Sequence, residues 1–371
     1  MWPYKRIIVV ILTFVVNFKT LNAQQILNIV LSEANPPRQS GMFHKPDDPL
    51  IQYTGRIQTT NSSLPRFWAP GVYVKAEFNG DVCQVFLNDE VLWGNSHNYI
   101  EVIVDNKKPG RLQLKWKNNE IKIEGLSRGN HTITICKNTE SGIGYLEFAG
   151  INCKKLLKLP AKPTRKIEFI GNSITCGTGM DLSEVPCGKG QWYHQHNAYM
   201  SYGPLTARAL NAQWVLSSVS GIGLVHSCCN MAITMPQVFD KIDMRDDSIE
   251  WNFVNYIPNV VTICLGQNDG IQDSTIFCNA YIQFIKNIRD KYPDAALICL
   301  TSPMADSTLS ASQKNYLSSM VSTVNKSGDK EIYKYFFSKQ YHHGCGGHPD
   351  LKEHKMIAAE LIRYIKNLEN W

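Results

Sequence analysis

The spacing of hydrophobic and polar positions changes period near the middle of the chain. In residues 24–157 apolar and polar side chains alternate in short runs, at 71–78, 82–87, 99–104 and 131–136. Turn-forming residues separate them at Asn79-Gly80-Asp81, Asp105-Asn106 and Arg128-Gly129-Asn130. A period of two puts successive side chains on opposite faces of a strand, so many short runs with frequent turns predict an all-β jelly-roll sandwich. From residue 166 the pattern differs. Apolar runs at 166–170, 213–219, 260–265, 296–301 and 332–337 alternate with amphipathic stretches near 198–211, 275–292, 308–326 and 350–368. Strand then helix, repeated, predicts an α/β fold with a three-layer, doubly wound parallel sheet.

Between the two patterns the proline-broken run of residues 158–165 reads as a linker. Two domains, 24–157 and 166–371, suit a length of 371 residues, more than one compact core usually holds. The N-terminus belongs to neither. Lys5 and Arg6 precede an apolar run over residues 7–16, and Leu21-Asn22-Ala23 ends a more polar stretch, so residues 1–23 read as a secretory signal peptide. The run is too short to span a bilayer, so no stable membrane insertion is expected after cleavage.

Cleavage there removes Lys5, Arg6 and Lys19 from 38 basic residues, leaving 35 against 32 acidic ones, a net charge of +3. That balance, without a basic stripe, argues against nucleic acid as a partner. Eleven cysteines in an exported chain permit disulfides, and the odd count leaves at least one free thiol. Cys264 and Cys299 fall in apolar strand-like runs and are expected as buried thiols. Cys176, Cys187, Cys228, Cys229, Cys278 and Cys345 are expected in or near loops, with some pairing among them.

Ligands of doubly wound sheets bind beyond the carboxyl ends of the strands. The first such end is Gly171-Asn172-Ser173-Ile174-Thr175, where a Gly-flanked serine either projects its hydroxyl into the crevice or caps a helix. The second, Val219-Ser220-Gly221-Ile222-Gly223, has small residues that leave a backbone N–H facing open space, or form a tight turn. The third, Leu265-Gly266-Gln267-Asn268-Asp269, offers an asparagine amide to a developing oxyanion, or an Asx-turn. After the last strand comes His342-His343-Gly344-Cys345-Gly346-Gly347-His348-Pro349-Asp350, and His348 stands where a base can swing over the serine. Acyl transfer needs these parts together: a nucleophile, a base near neutral pKa and preorganised donors for the tetrahedral oxygen.

The order Gly-x-Ser, Ser-Gly-x-Gly, Gly-x-Asn-Asp and a late Gly-Gly-His-Pro resembles the SGNH (GDSL-type) hydrolases. More closely, the chain resembles carbohydrate esterase family 2, which joins a small jelly-roll domain to an SGNH domain. Further matching stretches are Tyr53-Thr54-Gly55-Arg56-Ile57, Gly129-Asn130-His131-Thr132, Asn197-Ala198-Tyr199, 207–212 and Met235-Pro236. The resemblance implies a secreted (periplasmic or extracellular) acetyl esterase acting on acetylated plant polysaccharide, hemicellulose such as xylan or glucomannan, with no metal or other cofactor. By position it makes Ser173 the nucleophile and His348 the base. It assigns the oxyanion hole to the backbone N–H groups of Ser173 and Gly221 with the side chain of Asn268, Gly223 being a weaker claimant than Gly221.

Two departures matter. Asn172 stands where such enzymes usually have Asp, and its side chain still suits the turn. The places two and three before His348, where a triad acid usually lies, hold Gly346 and Cys345. Asp350, with Glu353 three residues on, fits a helix cap better. A Ser-His dyad follows, its imidazole oriented through Nδ1–H by a backbone carbonyl.

Trp192 and Tyr193, near His194 and His196 in the loop after Ser173, are candidates for the acceptor side of the cleft, and Gly223 and Asp269 are further candidate substrate contacts. His354, inside the last helix, is expected to be packed or half exposed. His342, His343, Cys345 and His348 are rich in metal ligands, but their spacing fits no usual zinc pattern. The alternatives to an acetyl esterase are a carbohydrate-binding protein using Trp68 or Trp93 with an inert second domain, or a hydrolase of lipase or sialate-esterase type. Polar, glycine-rich loops favour a small acyl group on a sugar. A monomer is expected.

Overall fold

The computed structural model describes residues 28–34, 42–245 and 248–371. The leader expected over residues 1–23 lies outside these. No helix among the described residues is long and apolar enough to cross a membrane.

Ten strands make up the first sheet: β1 (Asn28–Glu33), β2 (Phe43–His44), β3 (Gln52–Thr54), β4 (Arg66–Phe67), β5 (Tyr73–Asp89), β6 (Tyr99–Val104), β7 (Gly110–Gln113), β8 (Asn118–Glu124), β9 (Asn130–Lys137) and β10 (Leu146–Leu157). Their order is β1-β8-β5-β9-β6-β7, with β10 against β5, β2 and β4, and every pairing is antiparallel. Alternation decides which face is apolar. Ile121 and Ile123 of β8, Ile133 and Ile135 of β9, and Val74, Ala76 and Phe78 of β5 all enter one buried cluster.

The turn predicted at Asn79-Gly80-Asp81 is not there. β5 runs through it, pairing Asn79 with Lys155 and Cys83 with Cys153 across a bulge, so that Gly80, Asp81 and Val82 together oppose Lys154. An extra-residue bulge bends a strand without ending it. The bent strand then serves two sets of neighbours, β9 through Tyr73–Asn79 and β8 through Cys83–Asn88.

The second sheet comprises β11 (Lys166–Gly171), β12 (Gln213–Ser218), β13 (Val260–Cys264), β14 (Ala296–Leu300) and β15 (Ile332–Tyr335), all parallel, in the order β12-β11-β13-β14-β15. The helices are α1 (Ser173–Cys176), α2 (Tyr202–Ala209), α3 (Met235–Val238), α4 (Ser274–Lys291), α5 (Ser307–Lys326) and α6 (Leu351–Glu369). Aspartates start the three long ones: Asp273, Asp306 and Asp350 accept N–H bonds from the first turns of α4, α5 and α6. Strand residues alternate between two cores. Ile298 and Leu300 pack with α2 and α6, while Leu297 and Cys299 pack with α4 and α5. The three expected layers are present.

The two sheets are joined by a buried ion pair. Arg56, from the loop after β3, donates to Glu168 on β11 at 2.9 Å, and both side chains are shut off from solvent. The same guanidinium donates to the carbonyls of Phe239 and Lys241 and faces the rings of Phe239, Trp251 and Phe253. Glu168 also accepts from Tyr292 and Ser217. An apolar cluster of Trp68, Val215, Ile242, Trp251 and Tyr256 fills the seam beside it. Removing one partner of a buried pair strands the other charge. Arg56→Met is therefore expected to lower the unfolding free energy by about 3–5 kcal/mol in a urea titration, and adding Glu168→Gln to it should restore part of that loss.

Candidate active site

Parallel register brings the predicted site residues to one level of the sheet. Gly171 at the end of β11 lies opposite both Ser218 of β12 and Cys264 of β13. The loops that follow therefore leave side by side, carrying Ser173, Gly221 and Asn268. Ser173 is the first residue of α1, and Asn172 caps it by accepting the N–H of Ile174 at 3.2 Å. The turn survives the loss of a carboxylate because the cap needs only an oxygen. Gly171 serves here by its size: a Cβ on it would lie 2.1 Å from Thr175 Oγ1.

His348 reaches across from the loop before α6, its Nε2 lying 2.9 Å from Ser173 Oγ. Its Nδ1 is 3.0 Å from the carbonyl oxygen of Cys345, so Nδ1–H donates there and Nε2 is left to accept the serine proton. Asp350 does not touch the imidazole. It caps α6, accepting Glu353 N–H at 2.8 Å while Glu353 accepts Asp350 N–H at 3.1 Å. The loop that holds the carbonyl is tied down twice, by a disulfide from Cys345 to Cys187 and by Cys345 N–H donating to Gly179 at 2.8 Å.

On the opposite side of the serine, the N–H of Ser173 is the first of a helix and has no helical acceptor. Gly221 adopts φ +84°, a conformation that favours glycine, and its carbonyl accepts from Cys228 N–H at 2.9 Å. The Asn268 amide gives one hydrogen to the carbonyl of Ile222 at 2.8 Å, which locks its orientation and leaves the second hydrogen to be directed elsewhere.

Three of the four candidate substrate contacts are placed differently from expectation. Asp269 is buried and accepts the N–H groups of Leu224, Val225 and His226, so its carboxylate organises the loop after β12. Gly223 spends its N–H on Ser227 Oγ at 3.0 Å. Tyr193 is buried against Tyr99 and Ile143 of the first half. Only Trp192 keeps an open surface, 52% exposed, its ring 4.9 Å from that of His196. His196 is itself buried, as is His354, which accepts Tyr202 N–H and stacks on its ring. Trp68 is a seam residue rather than a platform, whereas Trp93 is 82% exposed.

Of the six cysteines expected in or near loops, four pair, Cys187 with Cys345 and Cys228 with Cys229, while Cys176 on α1, buried, and Cys278 on α4, half-buried, are free and helical; Cys264 and Cys299 are buried free thiols as expected. Cys345 is consumed by its disulfide and His343 is bonded to Glu353, so the histidine-rich loop does not form a ligand set. Among the described residues no group of three His, Cys, Asp or Glu side chains is arranged to hold a metal ion.

The solved structure of a family two carbohydrate esterase from Clostridium thermocellum in complex with cellohexaose superimposes with a TM-score of 0.80 at 31% identity, over 86% of this chain and 99% of that one. The chain belongs to carbohydrate esterase family 2. Its first half matches the family described as carbohydrate esterase 2 N-terminal over residues 53–163, and its second the GDSL-like lipase/acylhydrolase family over 169–328. The fold is thus a GDSL-type hydrolase preceded by a domain of mostly antiparallel strands. Cellulase/esterase CelE of Acetivibrio thermocellus is 32% identical over 88% of this family 2 chain, which spans 40% of that longer protein. An acetylxylan esterase / glucomannan deacetylase of Cellvibrio japonicus is 25% identical over 87% of the chain and 90% of its own length.

Sequence reading missed Glu140, Thr178 and Ser220, a hydrogen-bonded chain of two buried residues and the half-buried Ser220 that reaches the serine turn in this family 2 site. Glu140 belongs to the first half and no motif marks it. Burial pushes the His348 imidazole below the ordinary histidine value of 6.5, and the Cys345 carbonyl offsets this in part by favouring the protonated ring. Because burial disfavours the cation, His348 is expected to stay neutral as pH falls through 6.5 and to protonate only below it. NMR titration of its ring protons checks this.

Proposed function

We propose that the chain is an exported serine esterase that removes acetyl groups from hemicellulose by a Ser-His dyad. The observation that carries this reading is the 2.9 Å contact between Ser173 Oγ and His348 Nε2, with Nδ1 satisfied by a main-chain carbonyl. Ser173 Oγ attacks the acetyl carbonyl as Nε2 takes its proton. The oxyanion forms against the N–H groups of Ser173 and Gly221 and one hydrogen of Asn268 Nδ2. Collapse expels the sugar oxygen, to which His348 returns the proton, and leaves Ser173 acetylated. Water, deprotonated by the same imidazole, then attacks the acyl-enzyme and releases acetate.

The family relationship and the relatives' names support xylan or glucomannan as the acetylated polymer. Trp192 offers an exposed ring for a sugar, next to the buried His196. We read residues 1–23 as the signal peptide, 24–157 as a jelly-roll domain, 158–165 as the linker and 166–371 as the catalytic domain of a secreted monomer.

Ser173→Ala and His348→Ala are each expected to lower kcat on an aryl acetate by about three orders of magnitude or more. Asp350→Ala should keep kcat within a few-fold and cost about 1 kcal/mol of stability as a lost helix cap. An Asp350→Ala enzyme as inactive as the other two would overturn the dyad. Incubation with acetylated xylan and with acetylated glucomannan, followed by NMR, should show acetyl resonances lost from at least one and free acetate gained.

A further inference from the structure

The first sheet does more than adjoin the catalytic half. Glu140 lies in the short connection between β9 and β10, buried, with 2% of its surface exposed. Its Oε2 accepts the backbone N–H of Ser220 at 3.0 Å and the Ser220 hydroxyl at 2.6 Å. Ser220 Oγ lies 2.8 Å from Thr178 Oγ1, which lies 3.0 Å from His196 Nε2. Proton counting fixes the direction of this chain. The Ser220 hydroxyl gives its one hydrogen to the carboxylate, so it accepts from Thr178, and Thr178 accepts in turn from Nε2–H of a neutral His196. Burial holds His196 well below the ordinary imidazole value, in keeping with a neutral ring. The run of donors needs an oxygen acceptor at its end, and only Glu140 supplies one.

Both ends of this chain bear on the peptides around the serine. Ser220 immediately precedes Gly221, so holding both its N–H and its hydroxyl anchors the residue from which the Gly221 peptide leaves. Thr178 N–H donates to the carbonyl of Ser173 at 3.0 Å, which ties the chain to the serine turn. The Cys176 thiol of α1 donates to Ser218 Oγ at 3.3 Å, which ties α1 to the end of β12 just before Ser220. On the same first-half segment, buried Lys137 donates to the carbonyls of Thr139 and Glu140 and fixes their backbone.

We infer that Glu140 is a positioning residue for the esterase reaction, contributed by the N-terminal domain, which sets the Gly221 oxyanion donor and the Ser173 turn in register. The inference rests on the oxyanion role given to Gly221 above. Positioned donors lose most of their value when displaced by a fraction of an ångström to one ångström. A packing residue would affect stability and leave the turnover of folded molecules unchanged. A positioning residue affects kcat.

The test compares wild type, Glu140→Ala, Glu140→Gln and Ser220→Ala on an aryl acetate, with folding followed by circular dichroism and thermal melting. Glutamine keeps an oxygen at the end of the chain and should retain kcat within about threefold, whereas Glu140→Ala should lose roughly ten- to a hundredfold in kcat with KM nearly unchanged. Ser220→Ala keeps the N–H bond but breaks the chain to Thr178, and should fall between them. If Glu140→Ala does not fold, the ordering of Ser220→Ala below Glu140→Gln decides the matter. Folded Glu140→Ala with wild-type kcat, or Glu140→Gln as impaired as Glu140→Ala, would overturn the inference. Wild-type turnover that disappears in Ser173→Ala keeps the esterase reading intact whatever Glu140 does, so the two can fail separately.

Discussion

A charge buried on β11 of the parallel sheet constrains how the two halves of the molecule meet. Glu168 sits on β11 three residues before Gly171, among buried and mostly apolar side chains, with the hydroxyls of Ser217 and Tyr292 donating to it. Neither half satisfies the pair alone: the carboxylate needs a cation, and Arg56 comes from the antiparallel half through a wall of aromatic rings. A carboxylate without that partner would face a desolvation cost of several kcal/mol. The halves are thus bound to one relative placement, and the same placement brings Glu140 to Ser220 and Tyr99 to Tyr193. A hydrophobic seam alone would tolerate sliding, whereas a guanidinium held by two carbonyls and a carboxylate does not.

In the proposed dyad, the work of a triad acid is divided. Orientation of His348 falls to a main-chain carbonyl, and charge stabilisation of the imidazolium falls to no carboxylate in contact with it. A neutral acceptor fixes the tautomer as well as an acid would, but raises the basicity of the ring less. The donors around Ser173 and the loop hydrogen bonds made by Asp269 and Asn268 then matter more, because preorganised dipoles cost no reorganisation when the charge appears.

The fold was largely legible because both periods are strong. Alternation located β6 and the five parallel strands, and the aspartate caps marked where α4, α5 and α6 begin. The serine and the histidine could be read because each follows a strand end in a recognisable order. What escaped has a physical cause in each case. A bulge at residues 80–82 is written in the same residues as a turn, and only the partner strand distinguishes them. Asp269 reads as a cleft carboxylate until the N–H groups of Leu224 to His226 are seen converging on it. Glu140 acts some eighty residues away in sequence, from the antiparallel half, where no local pattern registers it.

The acceptor that steers His348 has one more consequence. Every amino acid carries a carbonyl, so no codon change at position 345 deletes this hydrogen bond, whereas a single substitution can delete the carboxylate of a triad enzyme. Heritable damage must instead come through the route the chain takes: the left-handed turns at Gly346 and Gly347, and the sulfur bridge that anchors their start. Mutational fragility has moved from the accepting atom to whatever shapes its loop, the Cys345 sulfur in the bridge included.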